Sequence, residues 1–468
     1  MAPKVRAALA ALAAGLPRVR ILDLAGLADG GGTLLASASA GTPTDGEAAG
    51  PSEGAPDEAR PPEDGRIDPA AEQVDGAAIL AAEKAHLLGV YARVPVLLMR
   101  GRGMQVWDAD GRRYLDFTAG IAVNALGHGD PEWAAVVADQ AGRLTHTSNL
   151  FSNLPMVALA ERLTRSSFAE RVFFANSGTE ANEAAIKLAR KAGQAGAAGP
   201  RTRIVAFSHG FHGRSIGALS LTFNPAYREP FGPLLSEVRF APYNDVRAAW
   251  TAIDDTVCAV FVEPVQGEGG VRAAEPEFLR ALREVCDQTG ALLVFDEVQC
   301  GLGRSGRLWA HEHYGVVPDL LTAAKPLAGG LPIGVLLASA GVADVLQPGD
   351  HGSTFAGGPL VCRAACQVFD RVTAPGFLER VADVGAHLRE RLGALEDPRI
   401  VEIRGLGLLL GLRLSQPAAP IATAARERGL LVLTAGKDVL RLAPPLIASR
   451  DDADRAVDIL AACLAEAG

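Results

Sequence analysis

Between Arg171 and Ala324 the chain alternates short, almost wholly apolar runs with stretches of helical period. The runs are Arg171–Ala175, Arg203–Phe207, Ala259–Glu263, Ala291–Phe295 and Leu320–Ala324; the helical stretches include Thr179–Lys191 and Glu277–Thr289. Apolar runs of this length are strands buried on both faces. Parallel strands need long crossovers, which the intervening helices supply. The pattern predicts an α/β fold, a large and mainly parallel sheet with helices on both faces. A chain of 468 residues, 49% hydrophobic, has material for more than one domain, and an aromatic content of only 5% suits tightly packed α/β layers. From Gln105 to Phe117 two apolar segments flank Asp110-Gly111 and predict a hairpin ahead of the sheet. After Cys366 the pattern changes to a helix over Phe377–Leu395, strands over Gly405–Leu414 and Val439–Leu442, and a last helix over Ala453–Glu466, which predicts a smaller α+β domain.

The expected organisation is therefore 1–40 as an N-terminal extension, 41–75 as a linker, 76–130 as the first part of a small domain, 131–366 as the large domain and 367–468 as the rest of the small one. Residues 41–75 hold ten acids and two arginines among Pro, Gly and Ala. They cannot bury enough apolar surface to fold and read as a disordered acidic linker. In 1–35, Pro3–Leu16 has helical character, Arg18–Leu22 is strand-like, and Gly30-Gly-Gly-Thr closes the unit. The segment resembles the tail of an amino-acid kinase of the acetylglutamate-kinase type; a disordered leader and a transit peptide are the other two readings. The net charge of −9, without any Lys/Arg-rich run, argues against nucleic acid as a partner. No apolar stretch reaches the ~20 residues of a membrane span. The six cysteines form no C-x-x-C pair, and the nine histidines show no zinc spacing, so a reducing compartment and no metal are expected.

Two features compete for the functional site. Gly301-Leu-Gly-Arg-Ser-Gly306 spells G-x-G-x-x-G after a strand, with Asp319 downstream. A dinucleotide fingerprint, however, needs its first glycine in the turn directly after the strand, and Asp296, Glu297 and Gln299 intervene. Asp296 itself ends one buried run, and Lys325 ends the next. Ligands of open α/β sheets bind at the carboxyl ends of strands, so both side chains should face one crevice. A desolvated lysine forms imines readily, and an acid beside it keeps a pyridine nitrogen protonated. That pair is what pyridoxal 5′-phosphate (PLP) requires. Ser177-Gly178-Thr179, between a strand and a helix, offers free N–H groups and a helix dipole to its phosphate. Ser177 also reads as an ordinary N-cap, with Glu180 completing a capping box.

The motifs SGTEANEAAIKLAR, FHGRS, EPVQGEGGV, FDEVQCGLGRSG, AAKPLAGGLPIG, GDHGSTFAGGPLVC and RLAPPL occur in this order. Over roughly residues 80–465 the chain resembles the class III (fold type I) PLP-dependent aminotransferases, and among them the acetylornithine aminotransferases. The resemblance implies that Lys325 binds the cofactor covalently and then acts as base and acid. It implies that Asp296 pairs with the pyridinium nitrogen, that Val298 and Phe211 cover the two ring faces, and that Gln299 reaches the ring hydroxyl. Ser177, Gly178 and Thr179 would hold the phosphate with Thr354 of a partner subunit, making a homodimer with shared sites. For the substrates it implies Arg214 on the distant carboxylate, with Tyr91 assisting and Ser353 nearby, and a Glu268–Arg441 pair that opens to admit the α-carboxylate of glutamate.

The implied reaction moves the δ-amino group of N2-acetyl-L-ornithine to 2-oxoglutarate. Other terminal amines (4-aminobutyrate, ornithine, succinylornithine, acyl-lysine) remain alternatives. Ile121 stands where ornithine δ-aminotransferases tend to have Tyr. Cys300, Ser305 and Gly358 also depart from common family residues without removing a catalytic group. A non-enzymatic scaffold is the reading from another class; retention of Lys325, Asp296, Arg214, Glu268 and Arg441 argues against it. The expected compartment is the cytoplasm, with a plastid as the alternative.

Overall fold

The computed structural model describes residues 18–21, 33–36, 75–194 and 199–466. The chain divides into two units, 1–71 and 72–468. In the first, Arg18–Ile21 pairs antiparallel with Thr33–Ala36, so the strand expected after Arg18 is present and a second follows the glycine run. The helix expected over Pro3–Leu16 and most of the expected linker lie outside the described residues.

The second unit is built on a seven-stranded sheet of β1 (Arg171–Ala175), β2 (Arg203–Phe207), β3 (Val238–Ala241), β4 (Val257–Val262), β5 (Leu292–Asp296), β6 (Leu320–Ala323) and β7 (Gly334–Ala338), in the order β1-β7-β6-β5-β4-β2-β3. From β6 across to β3 all neighbours are parallel; β7 runs antiparallel to both β6 and β1, so the sheet is mixed. Both faces are buried, as the apolar runs require. Val205, Phe207, Leu293 and Phe295 point to one side, against Phe278, Leu282 and Val285 of the helix Pro276–Thr289. Ile204, Ala206, Val294 and Leu320 point to the other, against Ala185, Ile186 and Leu188 of the helix Gly178–Gln194. The alternation along β2 and β5 is the strand's period of two, with both phases apolar.

The hairpin forms as expected, with Val106 opposite Tyr114 and Gly111 at φ 76° in its turn. A strand preceding it, Leu98–Arg102, and the C-terminal Leu430–Leu431 complete a four-stranded sheet. A second four-stranded sheet holds Ile400–Leu406, Leu409–Leu414, Val439–Leu442 and Leu433–Thr434, and places Arg441 opposite Gly411. The G-x-G-x-x-G segment is a run of turns with no helix opening inside it. Arg304 within it is fully buried and donates to the carbonyl oxygens of Leu408, at 3.1 Å, and Pro444. Asp319 accepts from the Leu293 N–H and from Arg283, which ties β5 to its flanking helix. Among the described residues no helix is long and apolar enough to cross a membrane.

Candidate active site

Asp296 lies at the carboxyl end of β5, level with Thr322 of β6, and the chain emerging from β6 reaches Lys325 two residues past the strand. Burial, helped by the charge of Arg441, outweighs the three acids Glu268, Asp296 and Glu263 and holds the Lys325 amine below the ordinary lysine range. A lysine so depressed offers more free amine near neutrality, the form that attacks a carbonyl.

Asp296 is 3% exposed and fully engaged. Its Oδ2 accepts from His212 Nδ1 and Asn182 Nδ2, both at 2.8 Å, and its Oδ1 from the Val298 N–H at 3.0 Å. Asn182 also donates to the His212 carbonyl and accepts from Thr322 Oγ1 at 2.8 Å, locking helix, loop and strand together. Burial works against a charged imidazole, but the Asp296 carboxylate outweighs it and lifts the basicity of His212. The bonds from His212 and Asn182 fix the Asp296 carboxyl at the end of β5. His212, Asn182 and Thr322 were not singled out from the sequence. A histidine flanked by Phe211 and glycine reads as core, and the only signal was its place in the FHGR motif.

The cup at the start of the helix Gly178–Gln194 has the geometry an anion needs. Ser177 Oγ accepts from the Glu180 N–H at 3.3 Å. The Glu180 carboxylate reaches back to the Asn176 N–H at 2.6 Å, a capping box displaced by one residue. Among the described residues the N–H groups of Gly178 and Thr179 have no acceptor. A Cβ on Gly178 would lie 2.5 Å from Val298 Cγ1, so only glycine lets Val298 approach the cup. Thr179 Oγ1 shares a hydrogen bond of 2.6 Å with Ser215 Oγ. The Ser353 hydroxyl accepts from Asn176 Nδ2 at 2.9 Å, which sets it beside the cup. Thr354, next to it, is exposed.

Phe211 is fixed through its N–H, which donates to Glu263 Oε2 at 2.9 Å. Glu263 also accepts from the Gly267 N–H at 3.3 Å. Burial is the main cause that raises its carboxyl well above the usual range.

Arg214 and Arg441 differ in kind. Arg441 is 3% exposed, and its Nη1 donates to Glu268 Oε1 and, at 3.2 Å, to Gln299 Oε1. Gln299 Nε2 donates to the same Glu268 oxygen at 3.3 Å, so its amide bridges the ion pair. Burial tends to raise the Glu268 carboxyl; Arg441 and Lys325 outweigh it and hold it low. Arg214 is exposed and has no acidic partner among the described residues; its guanidinium stacks 3.7 Å from the Tyr227 ring centroid and 5.8 Å from that of Phe211. Tyr227 went unnoticed in the sequence. Tyr91 is 70% exposed, its ring faces Arg93 at 5.1 Å, and no contact joins it to Arg214 among the described residues. Ile121 lies in an unusual turn: Ala119, Gly120, Ile121 and Ala122 all have φ between 46° and 67°. Asp116 braces that turn, accepting from the Thr118 and Ala119 N–H groups and pairing with His128 at 2.8 Å.

The residues fit PLP on three counts. They supply a buried, hydrogen-bonded carboxyl group, a depressed lysine just past the neighbouring strand end, and a glycine-lined helix start with free N–H groups. The family model described as Aminotransferase class-III matches residues 90–464. The chain belongs to that family, the class III aminotransferases, whose members work with PLP, and it is a PLP-dependent transaminase. It is 53% identical over 395 residues to the mitochondrial acetylornithine aminotransferase of Alnus glutinosa, covering 82% of this chain and 87% of that one. It is 46% identical to the acetylornithine aminotransferase of Caldanaerobacter subterraneus subsp. tengcongensis, over 83% of this chain and 99% of that one. Among solved structures it is similar to the N-acetylornithine aminotransferase of Stenotrophomonas maltophilia K279a, with TM-score 0.71, 38% identity, and 83% and 98% of the two chains covered. The ornithine aminotransferase of Toxoplasma gondii superposes with TM-score 0.80 at 33% identity, over 84% and 94%.

Proposed function

We propose that the enzyme transfers the δ-amino group of N2-acetyl-L-ornithine to 2-oxoglutarate, giving N-acetyl-L-glutamate 5-semialdehyde and L-glutamate, a step of arginine biosynthesis. One observation carries the substrate logic: of two arginines at the site, Arg441 is buried and neutralised by Glu268, whereas Arg214 is exposed and has no acidic partner among the described residues. A terminal amine brings no charge beside its reacting carbon, and a bare buried guanidinium there would be costly, so the Glu268 pair suits it. Glutamate carries a carboxylate on the reacting carbon; it displaces Glu268 and takes Arg441 in a charge-assisted bond. Arg214 holds the distant carboxylate of either substrate, with Tyr227 as its stacking support.

PLP, when bound, supplies an electron sink that makes the hydrogen on the amine-bearing carbon acidic. The chain does the rest. Lys325 Nζ would hold the cofactor until the incoming amine takes its place; the freed Nζ amine would then accept the proton from that carbon and give it back as an acid. Asp296 holds a proton on the ring nitrogen, braced by His212 and Asn182. Val298 and Phe211 cover the ring, Ser177, Gly178 and Thr179 bind the phosphate, and Gln299 serves the ring hydroxyl when the Arg441 pair opens. Thr354 enters the phosphate cup of a second copy. That homodimer is supported by an exposed apolar group, Leu150, Phe151, Leu154 and Phe355. Asn149 and Asn153 tie this group to the loop bearing Thr354. Six unpaired, buried cysteines support a reducing compartment, for which we take the cytoplasm; three relatives carry a mitochondrial label.

The test is a ranking of kcat/KM for N2-acetylornithine, N2-succinylornithine, ornithine and 4-aminobutyrate with 2-oxoglutarate as acceptor. N2-acetylornithine should lead. Preference for ornithine, the name carried by several structural neighbours, would keep the mechanism and replace the donor.

A further inference from the structure

A cavity of about 790 Å³ is lined on the site's side by Phe211, Tyr227 and Glu268. Another part of its wall is strongly basic: Arg272, Arg404, Arg413 and Lys437 line it, with His209 alongside, and Arg272 and Lys437 are exposed. Two carboxylates answer these four cations. Glu402 is taken up by Arg404, at 2.8 Å, and by Arg413, at 3.3 Å; Asp438 lines the wall itself. Arg272 is the one that stands out. It sits opposite Gln266 in a two-stranded ribbon and is exposed, and its guanidinium makes no hydrogen bond or ion pair among the described residues. The protein around it, and then the charge of Arg404, press its basicity down. The same influences depress His209: burial first, then Arg272 and Arg404. Arg413 adds to the repulsion on Arg272, and Glu402 and Asp438 offset part of it from a distance, but neither carboxylate bonds the Arg272 guanidinium. An anion in the cavity mouth would relieve the repulsion and give Arg272 its planar, bidentate acceptor.

We propose that this wall is an anion subsite of the cavity mouth, with Arg272 at its centre, which captures a carboxylate of the incoming dicarboxylate acceptor before it reaches Arg214 and Arg441. The inference rests on the function proposed above and deepens it. 2-Oxoglutarate is a dianion, whereas N2-acetylornithine carries one carboxylate and one ammonium. A positive field focused in a cleft speeds the first and leaves the second nearly unaffected. The site then favours the acceptor at the moment the enzyme is amine-loaded.

The half-reactions separate the possibilities. Wild type, Arg272→Glu and Lys437→Glu are prepared in two forms. One is reconstituted with pyridoxamine 5′-phosphate and mixed with 2-oxoglutarate; the other carries PLP and is mixed with N2-acetylornithine. In low salt, Arg272→Glu should lower the second-order rate constant for 2-oxoglutarate about tenfold, and that for the donor by less than about twofold. Added salt should slow wild type with 2-oxoglutarate more than it slows Arg272→Glu. Calorimetry of 2-oxoglutarate binding to the PLP form should show several-fold weakening in Arg272→Glu, and a smaller effect in Lys437→Glu. An unchanged 2-oxoglutarate rate, or an equal fall for both substrates, overturns the subsite alone. A wild type inert to 2-oxoglutarate in the pyridoxamine form overturns the proposed function with it.

Discussion

Removing the charge of Glu268 should tilt the enzyme toward its acceptor. In the resting pair Arg441 is 3% exposed, one nitrogen holds Glu268 and Gln299, and its Nε is buried without a partner. An α-carboxylate can reach Arg441 only by breaking the bond to Glu268. A hydrogen bond between charged groups contributes about 1.5–3 kcal/mol net, so the glutamate side of the reaction loses up to that amount in wild type. In Glu268→Gln the side chain keeps its shape and loses its charge. The α-carboxylate then meets an arginine with no rival, while the terminal amine meets an uncompensated cation. The ratio of kcat/KM for 2-oxoglutarate to that for N2-acetylornithine should rise about 10- to 100-fold, at roughly 1.4 kcal/mol per factor of ten. Thermal stability of the variant should fall, since a buried guanidinium loses its counter-charge. Because the Glu268 carboxyl is held below its usual range, the native pair persists through neutrality and is lost only as pH falls through that depressed value. Wild type should therefore drift toward the variant's ratio only in acid. A ratio that stays constant, or moves toward the donor, would refute the paired-arginine account.

Three further outcomes follow from the geometry. Gly178→Ala places a Cβ 2.5 Å from Val298 Cγ1 and should cost about 1–3 kcal/mol of stability and weaken PLP retention; Val298→Ala in the same chain should recover most of the stability, and a purely additive double mutant would count against the contact. Asp296→Asn should keep the fold but lower kcat by about a hundredfold or more, a loss on the scale of removing one electrostatic partner from a reacting group; steady-state kinetics at matched PLP content checks it. Glu263 holds its proton better folded than unfolded, so native protein binds more protons between its unfolded and folded pKa values and stability falls as pH rises through that interval. Melting temperatures of Glu263→Gln should lose that part of the slope; parallel curves for the two proteins would contradict the assignment.

The sheet was legible because strands buried on both faces read as unbroken apolar runs. Arg203–Phe207 and Val439–Leu442 fall where the pattern put them. The antiparallel insertion of Gly334–Ala338 was not legible, since direction is set by the path of the preceding loop rather than by the strand's composition. The positions of Asp296 at the end of one strand and Lys325 two residues past the next were readable from the apolar runs. Their supports were not: Asn182, Thr322 and His212 come from three segments, and nothing local to any one of them indicates the other two. The turn at Ala119–Ala122 was invisible for a similar reason. Only Gly120 advertises a positive φ; Asp116 fixes the entry to the turn through the Ala119 N–H, and the Ala122 N–H donates to the Thr118 carbonyl. The motif pointed to Arg214, but its aromatic partner, Tyr227 rather than Tyr91, depends on where the Arg214 loop meets the short helix Pro225–Arg228.

The visible absorbance spectrum of the PLP-loaded enzyme, recorded beside Lys325→Ala, tests the central claim that Lys325 and Asp296 form the working centre of a transaminase. Wild type should show a yellow band that bleaches with N2-acetylornithine and returns with 2-oxoglutarate, while Lys325→Ala should lack both the lysine-bound band and the cycle. A wild type saturated with PLP that never develops the band, or a Lys325→Ala variant that bleaches and recovers like wild type, would contradict it.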